Sequence, residues 1–278
     1  MAVGLVTDST AYLPESLTSA LGIIVVPVQV IIDGVAYNET DSLTNANIAE
    51  AFAQGLTVTT SRPSPEQFVA AFSELVEHGC TEIVSVHLSS ELSGTYESAL
   101  LASARMDVPV HVVDSQTIGM AMGAAIESGA GLAADGASGA AVAAHIAARC
   151  EKSHMWFSVD TLEYLQRGGR IGAVQARIGG ALSVKPILTM VNGQVESLEL
   201  VRTTTKATAR IAEIAAAAAT VDCDIAVHHV DAHERAEAIA QTLCEALGRS
   251  QITITPAGAV VGVHTGPGTV AVAMTPRI

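Results

Sequence analysis

The chain has 278 residues, of which 49% are hydrophobic and only 3% aromatic, and its formal net charge is −14. This length suits one large domain or two modest ones, and the apolar content excludes a disordered chain. The acidic charge argues against general nucleic-acid binding and against stable docking on an anionic membrane, and it is compatible with transient exchange with a membrane.

Strand-like and helix-like segments alternate through the first half of the chain. The predicted elements are the strand Val3–Val6, the helix Pro14–Leu21, a long strand Ile23–Ile32, the helices Asn45–Ala53 and Pro65–Glu77, the strand Glu82–Leu88, the helix Ser93–Arg105, the strand Val110–Val113, and the helices Ile118–Ala134 and Gly139–Ala148. Ser64, Pro65 and Gln67 form a capping box with proline at the first helical position, and Asp33-Gly34 indicates a turn. The alternation predicts an α/β fold with a mostly parallel sheet and helices on both faces.

The second half has a different pattern. The predicted elements are the strand Met155–Val159, the helix Thr161–Gln166 capped by Asp160 and Glu163, the helix Ala173–Ala181, a hairpin of Val184–Val191 and Gln194–Val201 around Asn192-Gly193, the helices Thr205–Ala219 and His233–Leu247, and the strands Ile225–Val230, Ile252–Thr255, Ala259–His264 and Thr269–Met274. We place a domain boundary near Arg149–Ser153. It divides the chain into an N-terminal α/β domain, residues 1–152, and a C-terminal mixed α/β domain, residues 153–278.

Three short polar loops each follow an apolar, strand-like segment. They span residues 59–65, 89–95 and 264–268 and offer hydroxyls, an imidazole or free backbone N–H groups. None has a carboxylate at its centre. This chemistry suits a neutral-to-positive pocket for one anionic head group.

The loop at Ser93-Gly94 follows a strand and opens a predicted helix. The first N–H groups of a helix have no internal partners and the helix dipole is positive there, so a carboxylate or phosphate is stabilised at this position. Gly94 permits close approach, because it has no side chain. The alternative is that Ser93 serves only as a helix N-cap.

The other two loops have similar alternatives. Thr60 and Ser61 are surplus hydroxyls, because Ser64 already supplies the helix cap, but loop hydroxyls commonly bond nearby backbone. His264 and Thr265 follow an apolar run and precede Gly-Pro-Gly, although a lone histidine is often structural. Asp8 ends the first strand, where open α/β sheets place their ligand crevice, and we favour a capping role for it.

Several functional motifs are missing from the sequence. Ser93 lies outside any G-x-S-x-G elbow, and the chain has no P-loop motif for phosphate binding. Its four cysteines are far apart, without a Cys/His metal-ligand spacing, and the N-terminus does not resemble a signal peptide. We therefore predict no metal, no cofactor and no catalytic residues, and a cytoplasmic location.

The basic residues are unevenly distributed. Between Arg167 and Arg210 lie seven of the fourteen Lys and Arg residues and two glutamates, a local charge of 7 − 2 = +5. We call this segment the basic island; its basic residues are Arg167, Arg170, Arg177, Lys185, Arg202, Lys206 and Arg210. It suits either an acidic partner or phosphate, or is a run of solvated charges.

Motifs in order along nearly the whole chain resemble the DegV family, the acyl-binding subunits of bacterial fatty acid kinase. They include Val6–Thr10, Thr60–Pro65, Leu88–Tyr96, Leu162–Ile171, Lys185–Leu188 and Val263–Gly268. One departure is Arg62, which stands where many members carry Gln. It either adds positive charge near the head group or points to solvent.

The resemblance implies that a long-chain fatty acid lies in a tunnel between two α/β domains. Its carboxyl would be held by Thr60, Ser93-Gly94 and His264, with Ser61 and Thr265 beside them, and Arg170 and Arg202 would face the kinase. The aromatic-poor core also suits an alkyl chain. The predicted function is a non-catalytic carrier that presents the carboxyl to a separate kinase. The alternatives are an acyl hydrolase using Ser93 and His264, or a small-anion sensor.

Overall fold

The fold consists of three β-sheets with helices packed against them, as shown by a computed structural model that describes residues 2–39, 43–172, 174, 184–220 and 222–278. The strands are β1 Val3–Asp8, β2 Ile23–Val26, β3 Gln29–Ile32, β4 Val35–Asn38, β5 Val58–Ser61, β6 Glu82–His87, β7 Val110–Asp114, β8 His154–Ser158, β9 Lys185–Val191, β10 Gln194–Val201, β11 Cys223–His229, β12 Thr253–Pro256 and β13 Val270–Pro276. The helices are α1 Glu15–Leu21, α2 Asn45–Ala53, α3 Pro65–Glu77, α4 Thr95–Ser103, α5 Met120–Ala134, α6 Gly139–Glu151, α7 Glu163–Arg167, α8 Thr204–Ala218, α9 His233–Leu247 and α10 Ala259–Thr265. Within the described ranges, no helix is long and apolar enough to cross a membrane.

The first sheet confirms the predicted parallel α/β arrangement. Its strands run in the order β2-β1-β6-β7, and all neighbouring pairs are parallel. Because successive side chains of a strand alternate, Leu5 and Val84 face α5 and α6, whereas Val6 and Ile83 face α3 and α4. The carboxyl ends of β1, β6 and β7 consequently meet at one edge of the sheet, where open α/β folds place their ligand crevice.

Asp8 is a fully buried hydrogen-bond acceptor at the end of β1. Its Oδ1 accepts from the Thr10 N–H at 3.0 Å, and its Oδ2 accepts from the Leu88 N–H at 2.9 Å. The same Oδ2 lies 3.1 Å from Nδ1 of His87, whose Nε2 is 2.7 Å from Oγ of Ser85. All three side chains of this series are inaccessible to solvent. These hydrogen bonds join the end of β1 to β6. The capping role predicted for Asp8 is confirmed, because its side chain accepts from the Thr10 N–H at the start of a short 3-10 helix.

The single long strand predicted over Ile23–Ile32 is wrong. Strand β2 pairs with β1, whereas β3 lies in a separate antiparallel sheet of order β4-β3-β5. Pro27 stands between the two strands, and proline has no N–H to donate to a sheet. The chain therefore changes sheets at this point, and β5 with Thr60 and Ser61 belongs to the second of them.

The largest sheet has the order β10-β9-β8-β13-β11-β12 and is mixed, with the predicted β9–β10 hairpin at one edge. Its two faces have different neighbours. Trp156 and Val272 pack with α8 and α9 on one face, whereas Met155, Phe157 and Ala271 point to the other. That second face turns toward the carboxyl edge of the first sheet.

The strand predicted over Ala259–His264 is wrong, because these residues form helix α10. The β-branched residues in this run favour a strand, but tertiary packing overrides that preference. Val260 and Val263 bury their side chains against Val30 and Ile48 of the three-stranded sheet and α2. The helix thus carries His264 from the C-terminal part of the chain onto β5.

Two further expectations concern α7 and the segment after it. The predicted cap by Asp160 and Glu163 is wrong, since α7 begins after Leu162 with no side-chain cap. Asp160 instead accepts from Arg235 at 3.2 and 3.3 Å. The predicted helix Ala173–Ala181 lies outside the described residues, apart from Val174.

The boundary proposed near Arg149–Ser153 stays a prediction, and one buried side chain links the elements on either side of it. Arg149 of α6 is 2% exposed. It donates to the carboxylate of Asp224 at 2.6 Å and to the carbonyls of Pro276 and Ala124 at 2.9 and 3.0 Å. The side chain therefore joins α5 and α6 to β11 and β13.

Candidate functional site

A cavity of about 370 Å³ lies where the three sheets meet. Its volume falls within the range typical of small-molecule sites. The first sheet contributes Leu88, Leu92 and Ile118 from the segments that follow β6 and β7. The remaining walls come from the largest sheet and from β5 with α10.

The body of the cavity is apolar because alternate residues of the largest sheet face it. Met155 and Phe157 of β8, Met190 of β9 and Val195 of β10 line this part, and Ala271 of β13 contributes only a methyl group. Among the described lining residues there is no aspartate or glutamate. Such walls suit an alkyl chain, and an anion entering the cavity would meet no fixed negative charge.

A polar cluster forms where β5 meets α10. Oγ1 of Thr60 and Nε2 of His264 are 2.8 Å apart, although the residues are separated by 204 positions in the chain. All six residues predicted to hold a carboxyl line the same cavity: Thr60, Ser61, Ser93, Gly94, His264 and Thr265. The structure brings these residues together, and their role in binding stays a prediction.

The imidazole of His264 is neutral at physiological pH. Burial, with a smaller effect from the positive charge of Arg170, lowers the pKa of His264 to about 4. Its Nδ1 is buried and has no hydrogen-bond partner among the described residues. The ring therefore offers hydrogen bonds at this site, but no positive charge.

The N-cap alternative for Ser93 is wrong, because Gly94 is the N-cap of α4 and no side chain bonds the first turn. Oγ of Ser93 lies 2.9 Å from Oγ1 of Thr95. Helix α4 therefore begins at Thr95, two residues later than predicted. Ser93 remains in the loop beside the cavity. Its hydroxyl is not committed to helix capping.

Two of the other hydroxyls bond the backbone. Oγ of Ser61 donates to the carbonyl of Arg62 at 3.2 Å, and Oγ1 of Thr265 donates to the carbonyl of Val261 at 2.9 Å. These bonds use the hydroxyl protons, so both oxygens face the cavity mainly as acceptors. In the Thr60–His264 and Ser93–Thr95 pairs either partner can be the donor, so the hydroxyls of Thr60 and Ser93 can donate to an anion when their partners donate to them.

A second cavity of about 520 Å³ adjoins the first at the Thr60–His264 pair, which lines both. It shares Thr60, His264 and Arg170 with the first cavity and adds Arg167. The Arg167 guanidinium lies over the ring of Phe52, with 4.9 Å between the guanidinium carbon and the ring centroid. We call this space the outer cavity, since Arg167 is an exposed residue.

The basic island is partly neutralised in the structure. Arg210 pairs with Glu199 at 2.8 Å, and Lys185 lies 3.8 Å from Asp160. Arg170 donates to the carbonyls of Leu92 and Gly168 and lines both cavities, whereas Arg202 is exposed just after β10. Arg177 lies outside the described residues. The partner-facing role of Arg170 and Arg202 stays a prediction.

His228 also lines the cavity, although no motif in the sequence predicts this. Its Nε2 accepts from the Met120 N–H at 3.0 Å, and its Nδ1 donates to the Thr255 carbonyl at 3.2 Å. Burial lowers its pKa to about 4, so the ring is neutral with both nitrogens occupied. His228 therefore shapes the wall, and no local motif distinguishes it from other strand histidines.

Glu39 holds the start of α10 in place, and no motif in the sequence predicts this role either. Its Oε1 accepts from the Val260 N–H at 3.0 Å, and its Oε2 accepts from Oγ of Ser9. Burial, aided by the negative charge of Asp8, raises the pKa of Glu39 to about 7. Since its partners come from residues 30 and 221 positions away, no local sequence pattern reveals this role.

We expect Glu39→Gln to remove a pH dependence of stability between pH 4.5 and 7. The folded-state pKa of Glu39 lies above its ordinary value of 4.5, so folding binds a proton in this range and stability falls as pH rises. The full difference is on the order of 3 kcal/mol, and glutamine keeps one acceptor oxygen without ionising. Urea unfolding at several pH values measures it. Glu66→Gln, at an exposed site, is the control, and an unchanged slope in Glu39→Gln would contradict the prediction.

Comparison with known proteins identifies close relatives along the whole chain. Residues 2–277 match the DegV family. A DegV domain-containing protein of Streptomyces coelicolor is 43% identical over 277 residues, covering 99% of both chains. A fatty-acid-binding DegV family protein from Thermus thermophilus is 35% identical with a TM-score of 0.93, and DegV from Bacillus subtilis, described as a fatty acid binding protein, is 32% identical with a TM-score of 0.90. Each of the two structures is covered completely, as is this chain.

Proposed function

The chain belongs to the DegV family, and from that premise we propose that it binds a long-chain fatty acid. The observation that carries the proposal is the cavity itself, whose apolar body adjoins a cluster of hydroxyls around a neutral histidine. The acyl tail occupies the apolar body, and the carboxyl group lies at Thr60, Ser93 and His264. The fatty-acid-binding relatives from Thermus thermophilus and Bacillus subtilis support this assignment.

Burial of the tail supplies most of the binding free energy. Removing a chain of roughly 16 carbons from water is worth about 0.8 kcal/mol per CH₂, or about 12 kcal/mol before the costs of association. The head-group contacts then fix the orientation of the lipid. A small anion would gain nothing from the apolar walls, so the geometry favours a lipid carrier over a small-anion sensor.

The direct test is solvent extraction of the purified protein followed by mass spectrometry. We expect a non-covalently bound long-chain fatty acid, and uptake of added palmitate or oleate by delipidated protein. Absence of any lipid together with no uptake of either fatty acid would refute the proposed function. Uptake of phosphate alone would favour the small-anion sensor.

We expect Ser93→Ala to weaken fatty acid binding without lowering stability. Ser93 does not cap α4, so its loss leaves the helix start intact. Removing one hydrogen bond to a charged group costs about 1.5–3 kcal/mol, which is roughly a tenfold to hundredfold loss of affinity. Affinity and melting temperature are measured together. A lower melting temperature with unchanged affinity would mean that the hydroxyl has only a structural role.

The hydrolase alternative is less well supported by the pairing of the side chains. A serine nucleophile requires a base within hydrogen-bond reach and a third group that orients the base. Nε2 of His264 bonds Thr60, the Ser93 hydroxyl bonds Thr95, and Nδ1 of His264 has no partner among the described residues. Turnover of an acyl ester by the protein alone would revive this alternative.

We further propose that the protein presents the fatty acid carboxyl to a separate kinase, and that it acts in the cytoplasm without a metal or cofactor of its own. In such a system ATP and the phosphoryl-transfer metals belong to the partner. The absence of a P-loop motif from the sequence and the four free cysteines are consistent with this division of roles. The exposed part of the basic island provides a surface for the partner.

We expect Arg202→Ala to slow acyl-phosphate formation with a cognate kinase while leaving fatty acid binding nearly intact. Arg202 is exposed and lies outside both cavities, and charges at an interface rim act chiefly on the association rate. The wild-type rate should also decline as salt is raised. Arg105→Ala, which removes an exposed charge outside the basic island, serves as the control. Equal rates for wild type and Arg202→Ala at low salt would exclude docking at this residue.

A further inference from the structure

The predicted head-group residues carry no positive charge of their own. Thr60, Ser61, Ser93 and Thr265 offer hydroxyls, Gly94 offers backbone, and the His264 ring is neutral. A carboxylate removed from water needs either a cation or several hydrogen-bond donors to offset its lost hydration. Any ionic partner for the head group therefore has to come from another lining residue.

Two arginines line the first cavity, and they differ in what their guanidinium groups contact. Arg170 donates to the backbone carbonyls of Leu92 and Gly168, so part of its donor capacity is already used. Arg62 forms no side-chain hydrogen bond or ion pair with any described residue. Its guanidinium is consequently available to a ligand.

The position of Arg62 directs that free guanidinium at the head-group cluster. A Cβ built on Gly94 would lie 2.1 Å from Nη1 and 2.9 Å from Cδ of Arg62, so the arginine side chain lies directly across this glycine. Ser61 and Ser93, the neighbours of Arg62 and Gly94 along the chain, line the cavity beside them. Gly94 therefore provides the space that the arginine occupies.

We propose that Arg62 is the counter-ion of the bound carboxylate, and that it gives the site its preference for anionic over neutral lipid head groups. This inference rests on the proposed function, because it assigns a residue to the lipid head group. Arg62 lies beside the N-terminal end of α4, where the helix dipole disfavours a cation. A carboxylate bound beside both the helix end and the guanidinium offsets this unfavourable contact.

A solvated surface arginine is the competing interpretation. Exposed ion pairs contribute little and are screened by salt, and Arg62 is exposed. The two interpretations differ in their dependence on head-group charge. A counter-ion discriminates palmitate from hexadecanol, which has the same chain length and no charge, whereas a solvated arginine does not.

The test compares the affinities for palmitate and hexadecanol in wild-type protein, Arg62→Gln, Arg62→Lys and Arg105→Gln. We expect Arg62→Gln to weaken palmitate binding about tenfold and to leave hexadecanol binding unchanged. Arg62→Lys should restore most of the preference because it keeps the charge. Arg105→Gln, which removes an exposed charge that pairs with Glu66 at 3.1 Å, should behave as wild type.

The outcomes separate this inference from the proposed function. If Arg62→Gln keeps the full wild-type preference for palmitate, or weakens both lipids equally, the counter-ion role is refuted while fatty acid binding stands. If the wild-type protein binds neither lipid, the proposed function itself is refuted. Melting temperatures of the variants verify that each is folded, and Arg62→Lys tests the charge even if glutamine disturbs the loop.

Discussion

Replacing Gly168 with alanine should lower the affinity for a fatty acid by at least tenfold. A Cβ at this position would lie 2.1 Å from Nδ1 and 2.9 Å from Cε1 of His264, distances that require the ring to move. The backbone of Gly168, with φ −75° and ψ −9°, accepts alanine, so the effect arises from the contact and not from backbone strain. Displacing the imidazole breaks its hydrogen bond with Thr60 and disorganises the head-group cluster. One lost hydrogen bond to a charged group already corresponds to roughly tenfold to hundredfold in affinity.

Titration of delipidated protein with palmitate measures this effect. Gly131→Ala is the matched control, because a Cβ there meets no heavy atom within 4 Å among the described residues, its chain neighbours and its own helix backbone aside. It lies inside α5, where alanine is favoured over glycine by about 1 kcal/mol, so the control should bind normally and be slightly more stable. Wild-type affinity in Gly168→Ala would show that the His264 ring position does not matter for binding.

Arg149→Leu should destabilise the protein by about 3–5 kcal/mol, because it leaves two backbone carbonyls without their donor, at about 1–3 kcal/mol each, and removes one partner of a half-buried ion pair. The arginine is 2% exposed, and its loss leaves the carbonyls of Pro276 and Ala124 without their donor. Asp224 would keep Arg277 as its ion-pair partner among the described residues. Because the lost contacts join α5 and α6 to β11 and β13, we also expect the two parts of the chain to unfold less cooperatively. Denaturant unfolding followed by fluorescence and circular dichroism measures both effects.

Arg277→Leu is the matched control for this experiment, because Arg277 bonds the same carboxylate of Asp224 at 2.6 Å. Its side chain is 64% exposed, and exposed ion pairs contribute about 1 kcal/mol at most. Equal losses of stability in the two variants would mean that burial of Arg149 adds nothing to the ion pair.

The sequence predicted the fold well wherever the structure depends on local chemistry. Ser64, Pro65 and Gln67 predicted α3 with its observed bounds, and the capping box is formed on both sides. The bounds of α2 and α9 were also predicted correctly. By contrast, the strand predicted over Ala259–His264 failed because its helical form depends on Glu39 and on β3, which lie more than 200 residues away.

The site could be predicted only in part from the residues alone. Hydroxyls and an imidazole in three loops indicated a pocket for an anion, and the structure brings those loops to one cavity. The contact between Thr60 and His264 could not be predicted from spacing, since 204 positions separate them. The free guanidinium of Arg62 could not be predicted either. Whether an arginine has an acceptor nearby depends on which distant side chains the fold brings next to it.

The side chains of Thr60 and His264 belong to the walls of both cavities. In the proposed complex the lipid tail would fill the first cavity. The carboxyl group would contact residues that also line the outer cavity. If the chain binds a fatty acid as proposed, a reagent could reach the carboxyl group through the outer cavity while the tail stays bound. The protein would then hold the lipid by its unreactive tail and leave its reactive carboxyl group accessible. Release of the lipid would require loss of the contacts with the tail.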